Sequence, residues 1–190
     1  MSKYSIGRCS VVAMALFAMS LTTDSVAQSG NETGVGLAVG IGQSRIQDED
    51  GPGDTFDGSD TGYNIDLEWR FIKYLAIGFN YVDFGKDTEF FNGEDTTIEV
   101  TGSGYFARGY LPVSDRFTLH ATIGELSYSS RVNGFQPGFI FPFAEEAAAF
   151  GAGADFSLSK HWSLRFDHRW YDGDNREEGA MTTIGIRWQY

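Results

Sequence analysis

From Gly34 onward the chain alternates large apolar residues with polar or small ones at a period of two, the signature of strands that are apolar on one face. In "GYNIDLEWRF" the residues Tyr63, Ile65, Leu67 and Trp69 share one face, and Asn64, Asp66, Glu68 and Arg70 share the other. "HWSLRFDHRW" sets Trp162, Leu164, Phe166, His168 and Trp170 against Ser163, Arg165, Asp167 and Arg169. The same parity recurs at Val35 to Ile41, Leu75 to Tyr81, Phe117 to Ile123, Phe150 to Phe156 and Thr182 to Tyr190. An eighth segment, Ile98 to Leu111, is ambiguous. If Arg108 points inward, Tyr105 and Ala107 point outward, but Phe106 and Val100 then share the interior with Gly102 and Gly104.

The connections alternate in length. Short turns are expected at Arg70 to Tyr74, Pro112 to Arg116 and Leu158 to His161; long loops are expected at Gln47 to Asp60, Gly85 to Asp95, Ser127 to Glu146 and Tyr171 to Gly179. This is the rhythm of an up-and-down meander of eight antiparallel strands, which loses its exposed edges by closing into a barrel.

The apolar face is assigned to the outside. The polar face carries charges able to pair (Asp66, Glu68, Arg70, Arg108, Asp155, Arg165, Asp167, Arg169 and Arg187), and the interior of eight strands is just wide enough to be filled by side chains. Tyr63, Trp69, Tyr81, Trp162, Trp170, Trp188 and Tyr190 fall near strand ends on the apolar face, as interfacial girdles do. Strands that span lipid must form a closed barrel to pair every backbone group. The predicted fold is therefore all-β, an eight-stranded antiparallel up-and-down transmembrane β-barrel.

The N-terminus adds a route for export. Lys3 and Arg8 precede an apolar run from Ser10 to Leu21, and "SVA" ends at Ala27, so residues 1–27 read as a cleavable signal peptide and 28–190 as the barrel domain. Cys9, the 1 cysteine, leaves with that segment, which excludes disulfides and thiolate chemistry from the mature chain. Removing Lys3, Arg8 and Asp24 from 14 basic and 26 acidic residues moves the net charge from -12 to -13, a poor surface for nucleic acid.

"AFGAGADFSLSKHWSLRFDHRWYDGD" (Ala149 to Asp174) followed by "TTIGIRWQY" resembles the last strands of the OmpA-like and opacity-type outer-membrane β-barrel proteins. "YLAIGFNYVDFG" (Tyr74 to Gly85) and "GYLPVSDRFTLHATIG" (Gly109 to Gly124) extend the resemblance over most of the mature chain. It implies a bacterial outer membrane with extracellular long loops, with outer-membrane lipid, lipopolysaccharide and the barrel-assembly machinery as partners. It also implies that the C-terminal pattern Ile186, Trp188 and Tyr190 serves as an assembly signal. Larger members continue into a periplasmic peptidoglycan-binding domain, which is not expected here.

Candidate chemistry is sparse. Acidic Asp48, Asp50 and Asp54 form a weak calcium candidate in "QDEDGPGDTFDGSD", although Pro52 stands where an EF-hand needs its third acidic ligand. A solvated acidic loop is the competing reading. His120 is expected inward, His161 at a short turn and His168 on the lipid side; none sits in a nucleophile-and-base pattern, so neither an enzyme nor a cofactor is expected. "NGFQPGFIFPF" (Asn133 to Phe143) is unusually apolar for a loop tip and offers a contact for a host or cell-surface partner or a loop packed on itself. The expected function is structural or surface-interacting with a closed charged interior; a narrow porin and a lipid-modifying enzyme remain as alternatives.

Overall fold

The computed structural model describes residues 33–48, 56–91, 94–133, 144–173 and 178–190. The expected signal peptide, Asp50 and Asp54 of the calcium candidate, and Gly134 to Phe143 of the apolar loop lie outside them, and of Asp48 only the backbone is described. Among the described residues the chain forms strands β1 (Gly34–Asp48), β2 (Phe56–Ile72), β3 (Leu75–Phe91), β4 (Glu94–Pro112), β5 (Phe117–Asn133), β6 (Ala144–Ser157), β7 (Trp162–Gly173) and β8 (Glu178–Gln189). Each pairs antiparallel with its sequence neighbours, and β1 closes on β8 from Gly36↔Gln189 to Gln47↔Glu178, giving a closed barrel.

The period of two sets the faces. Val35, Leu37, Val39 and Ile41 on β1, Tyr63 to Trp69 on β2, and Ile184 and Ile186 on β8 are exposed, whereas Ala38, Asn64, Asp66, Glu68, Thr183 and Arg187 are buried between them. The ladders align equivalent positions, as in Leu67↔Leu37↔Trp188, so the apolar sets join into a belt. Tyr63 to Phe71 covers about 26 Å of strand, or roughly 20 Å along the axis of a barrel tilted near 40°, close to the apolar height of a membrane barrel. Rings mark both borders: Tyr63 against Tyr81 (6.1 Å between centroids) above, and Trp69 against Phe71 (5.9 Å) and Trp188 against Tyr190 (6.1 Å) below.

The ambiguous segment is resolved in β4. Arg108 and Phe106 are buried, and Tyr105 is 74% exposed on the outside. Phe106 fits inside because Gly78 faces it from β3: a Cβ there would come within 2.4 Å of the Phe106 ring and 2.5 Å of the Leu67 carbonyl.

The expected long loops are corrected. Strand continues through Gln47–Asp48, Phe56–Asp60, Gly85–Phe91, Glu94–Asp95, Ser127–Asn133 and Ala144–Glu146. Where side chains are described, exposed positions in these stretches are polar, as at Ser59, Lys86, Ser127, Ser129 and Glu146, and backbone pairing carries on past the girdle. The strands, at 12 to 19 residues, exceed the roughly 9 to 11 that a membrane needs, so the barrel rises beyond the belt as a collar.

Candidate functional site: the barrel interior and the collar

The lower interior, toward the short turns, holds four buried carboxylates (Asp66, Glu68, Asp155, Asp167) and four buried guanidiniums (Arg108, Arg165, Arg169, Arg187). Arg108, on β4, is the hub. Its Nη1 donates to Glu68 at 2.8 Å, its Nη2 to Asp66 at 2.8 Å, and its Nε to the Thr122 hydroxyl at 2.9 Å. Arg165 forms a two-pronged pair with Asp155, Nε at 2.7 Å and Nη2 at 2.9 Å, a ladder neighbour across β6 and β7. Arg169 donates to Asp167 at 2.7 and 3.0 Å and also to Asp66, and Arg187 donates to Glu68 at 2.7 Å.

Equal numbers of opposite charges let a buried site hold them; each ion alone would cost several kcal/mol to desolvate. The aromatic faces complete the packing, with the Arg108 guanidinium 4.6 Å from the Phe106 ring centroid.

One residue grouped with these by sequence stands apart. Arg70 is half-buried toward the short-turn rim, its guanidinium 3.6 Å from the Tyr110 ring centroid, and among the described residues it has no ion pair. It is the last inward position before the turn at Lys73–Tyr74, too low to reach the carboxylates.

Tyr110 was missed. Its hydroxyl donates to Glu68 at 2.6 to 2.7 Å and accepts from Arg165 Nη2 at 3.1 Å, tying the two halves of the cluster. Its signal was parity, two residues from Arg108. His120 is enclosed as expected, with Nε2 3.6 Å from Asp167 and Nδ1 4.0 Å from Asp155, beside the Tyr110 ring. His168 faces outward, its Nδ1 2.6 Å from the Thr182 hydroxyl and its ring against Trp170; His161 sits at a short turn, Nδ1 2.9 Å from the Gln189 carbonyl oxygen.

The expected charged interior occupies the lower barrel, and an apolar core lies above it. Above the cluster, Val82, Phe84, Leu126, Ala147, Ala149, Tyr171 and Met181 form a buried apolar core flanked by Val100 and Tyr128. A small cavity of about 30 Å³ lies among Phe84, Val100, Leu126, Tyr128, Ala147 and Tyr171, with Glu178 and Gly179 at its edge. Outward positions here are polar, including Gln43, Ser59, Thr61, Ser103, Glu125 and Ser127. Two plugs therefore stand in series, one ionic and one apolar.

At the collar's edge Asp60 accepts the backbone N–H groups of Thr61 at 2.6 Å and Lys86 at 2.7 Å. These donors, Lys86 first, hold its carboxyl below the usual carboxylate range. Gly85, in the left-handed region at φ +88°, gives the bulge that aims Lys86 at it.

The profile of the outer membrane protein beta-barrel domain family matches residues 10–189. The chain belongs to that family. It is a protein of the bacterial outer membrane. No curated protein sequence matches the chain. The Yersinia pestis attachment invasion locus protein Ail, solved in complex with the heparin analogue sucrose octasulfate, shares 13% identity over 84% of this chain and 100% of its own, with a TM-score of 0.63. Neisserial surface protein A shares 11% over 82% and 97%, at 0.64. The outer membrane protein OprG of Pseudomonas aeruginosa shares 12% over 85% and 98%, at 0.54. At these identities the likeness is one of fold.

Proposed function

We propose that this barrel is a closed, non-catalytic outer-membrane protein with a structural and surface-interaction role exercised at its extracellular collar. The observation that carries the reading is the pair of plugs: the paired charges from Asp66 to Arg187 below and the Val82, Leu126 and Tyr171 core above leave the collar as the accessible working surface. In planar bilayers at neutral pH the refolded protein is expected to remain electrically silent; steady single-channel conductance would replace this reading with that of a narrow porin.

Collar charge bears on the partner. Ail was crystallised with a polysulfate, whereas here Asp60, Asp83, Glu99, Glu125, Glu146, Asp172 and Glu178 line the described collar, with Arg45 and Lys86 as opposing cations. A polyanion meets repulsion on such a surface, and a cationic partner is favoured.

Outer-membrane lipid and lipopolysaccharide surround the belt in this reading. The barrel-assembly machinery reads Ile186, Trp188 and Tyr190, of which Ile186 on β8 and Tyr190 just past its end are exposed. Deleting Tyr190 is expected to lower the yield of heat-modifiable protein in the outer membrane. Cleavage after Ala27, leaving 28–190, is checked by the mature protein's N-terminal sequence. Lipid A of unchanged mass in a deletion strain is the outcome expected of a non-enzyme.

A further inference from the structure

Above the belt the barrel is not zipped on every side. The β2–β3 ladder ends at Tyr63↔Asp83, yet β2 runs on as Phe56–Gly62 paired with β1, and β3 runs on to Phe91 paired with β4. A seam opens between two strands that each keep one neighbour. Its base is finished by side chains: Asp60 takes the Lys86 N–H, Asp83 takes the Gly85 N–H at 2.8 Å, and the Ser44 hydroxyl donates to the Phe84 carbonyl at 2.5 Å.

Beyond these caps, among the described residues, no cross-seam ladder joins Phe56–Ser59 to Asp87–Phe91. Because the Lys86 N–H points into the seam, strand alternation points those of Thr88 and Phe90 the same way. Such an edge is a template for another strand.

We propose that the free edge of β3 from Asp87 to Phe91 is a docking site for an extended, basic peptide segment of a partner protein, which pairs with it as an added strand. Backbone pairing supplies affinity in this mode and side chains supply choice. The choice here is set by charge. The two segments are acidic in sequence, with Asp57, Asp60, Asp87 and Glu89 against one cation, Lys86, whose ammonium faces Glu99 at 3.5 Å. A row of alternating lysines is therefore favoured over neutral or acidic strands. The inference rests on the reading of the collar as the working surface and names its class of partner.

The test uses the refolded full-length mature protein in nanodiscs and three fluorescent peptides: alternating Lys and Val, the same with alternate amides N-methylated, and alternating Glu and Val. Saturable anisotropy is expected for the first, with binding at least tenfold weaker for the other two. Thr88→Pro removes a seam-facing donor and spares the β3–β4 ladder, so it is expected to weaken the Lys peptide tenfold or more while heat-modifiable migration is kept. Asp87→Lys with Glu89→Lys is expected to exchange the preference toward the Glu peptide. Equal binding of the N-methylated peptide, or full binding to a folded Thr88→Pro variant, would overturn the proposal. Self-association that Thr88→Pro abolishes would reassign the edge to a second copy and overturn it too. Bilayer conductance reports separately on the closed-barrel reading, so either idea is able to fail alone.

Discussion

The same strands follow opposite rules in the two halves of this barrel. In the belt, β2 turns Leu67 outward and Glu68 inward; in the collar, β5 turns Glu125 outward and Leu126 inward. The backbone geometry is continuous, so the inversion is a statement about solvent. Lipid outside takes apolar side chains and leaves the interior to charges that satisfy one another. Water outside takes the polar ones and leaves the interior to a hydrophobic core like that of a soluble barrel. A girdle of Tyr63, Tyr81 and Trp170 marks where one rule gives way to the other.

Large losses are expected in the belt. Asp155→Ala removes the two-pronged partner of Arg165 and leaves it the longer contacts with Asp66 and Glu68, at an expected cost of about 3 kcal/mol, as for a broken buried pair. Replacing both partners, Asp155→Leu with Arg165→Met, is expected to cost far less than the single change. Urea unfolding of refolded protein measures both; a double variant less stable than the single would show that the charges do more than cancel.

Leu126→Ala tests the collar's opposite rule, with an expected loss of about 2 to 4 kcal/mol from a core of soluble type. It should be seen first as faster hydrogen exchange in β4 and β5 above Gly104. An unchanged exchange pattern would mean that the collar's core is not what holds it.

Outward positions sharpen the contrast further. Leu67→Lys in the belt is expected to cost about 2 to 4 kcal/mol, whereas Glu125→Lys in the collar should stay within about 0.5 kcal/mol. Similar costs at the two sites would move the membrane border.

The smallest expected effect concerns pH at the collar's seam. Because backbone donors depress the Asp60 pKa in the folded state, its contribution is present in full above the ordinary carboxylate range and is lost as pH falls through the lowered folded value. The protection of the Lys86 amide, its exchange rate relative to the intrinsic base-catalysed rate at each pH, is therefore expected to fall on acidification, and Asp60→Asn should flatten that dependence.

Much of the belt was legible in the sequence, because lipid demands the same parity for the whole length of a span. Leu67 against Glu68 and Phe166 against Asp167 each show it without help from any other strand. Arg108 did not, since Phe106 shares its face and only Gly78 on the neighbouring strand reveals the room that makes this acceptable. The collar was hidden for a related reason. Its exposed Ser59, Lys86 and Ser127 fall in segments that read as loop, and its inward Val82, Phe84 and Met181 acquire meaning only in a core drawn from five strands.

From the sequence alone came the class of fold, the membrane side of seven of the eight strands and the stock of interior charges, all local consequences of a two-residue period. Tertiary structure decided the rest: that Arg108 bridges Asp66 and Glu68 from 42 and 40 positions away, that Tyr110 joins their network while Arg70 does not, and that β2 and β3 part above Asp83. These depend on register and strand length, which fix which residues share a level in the barrel, and a period of two is blind to level.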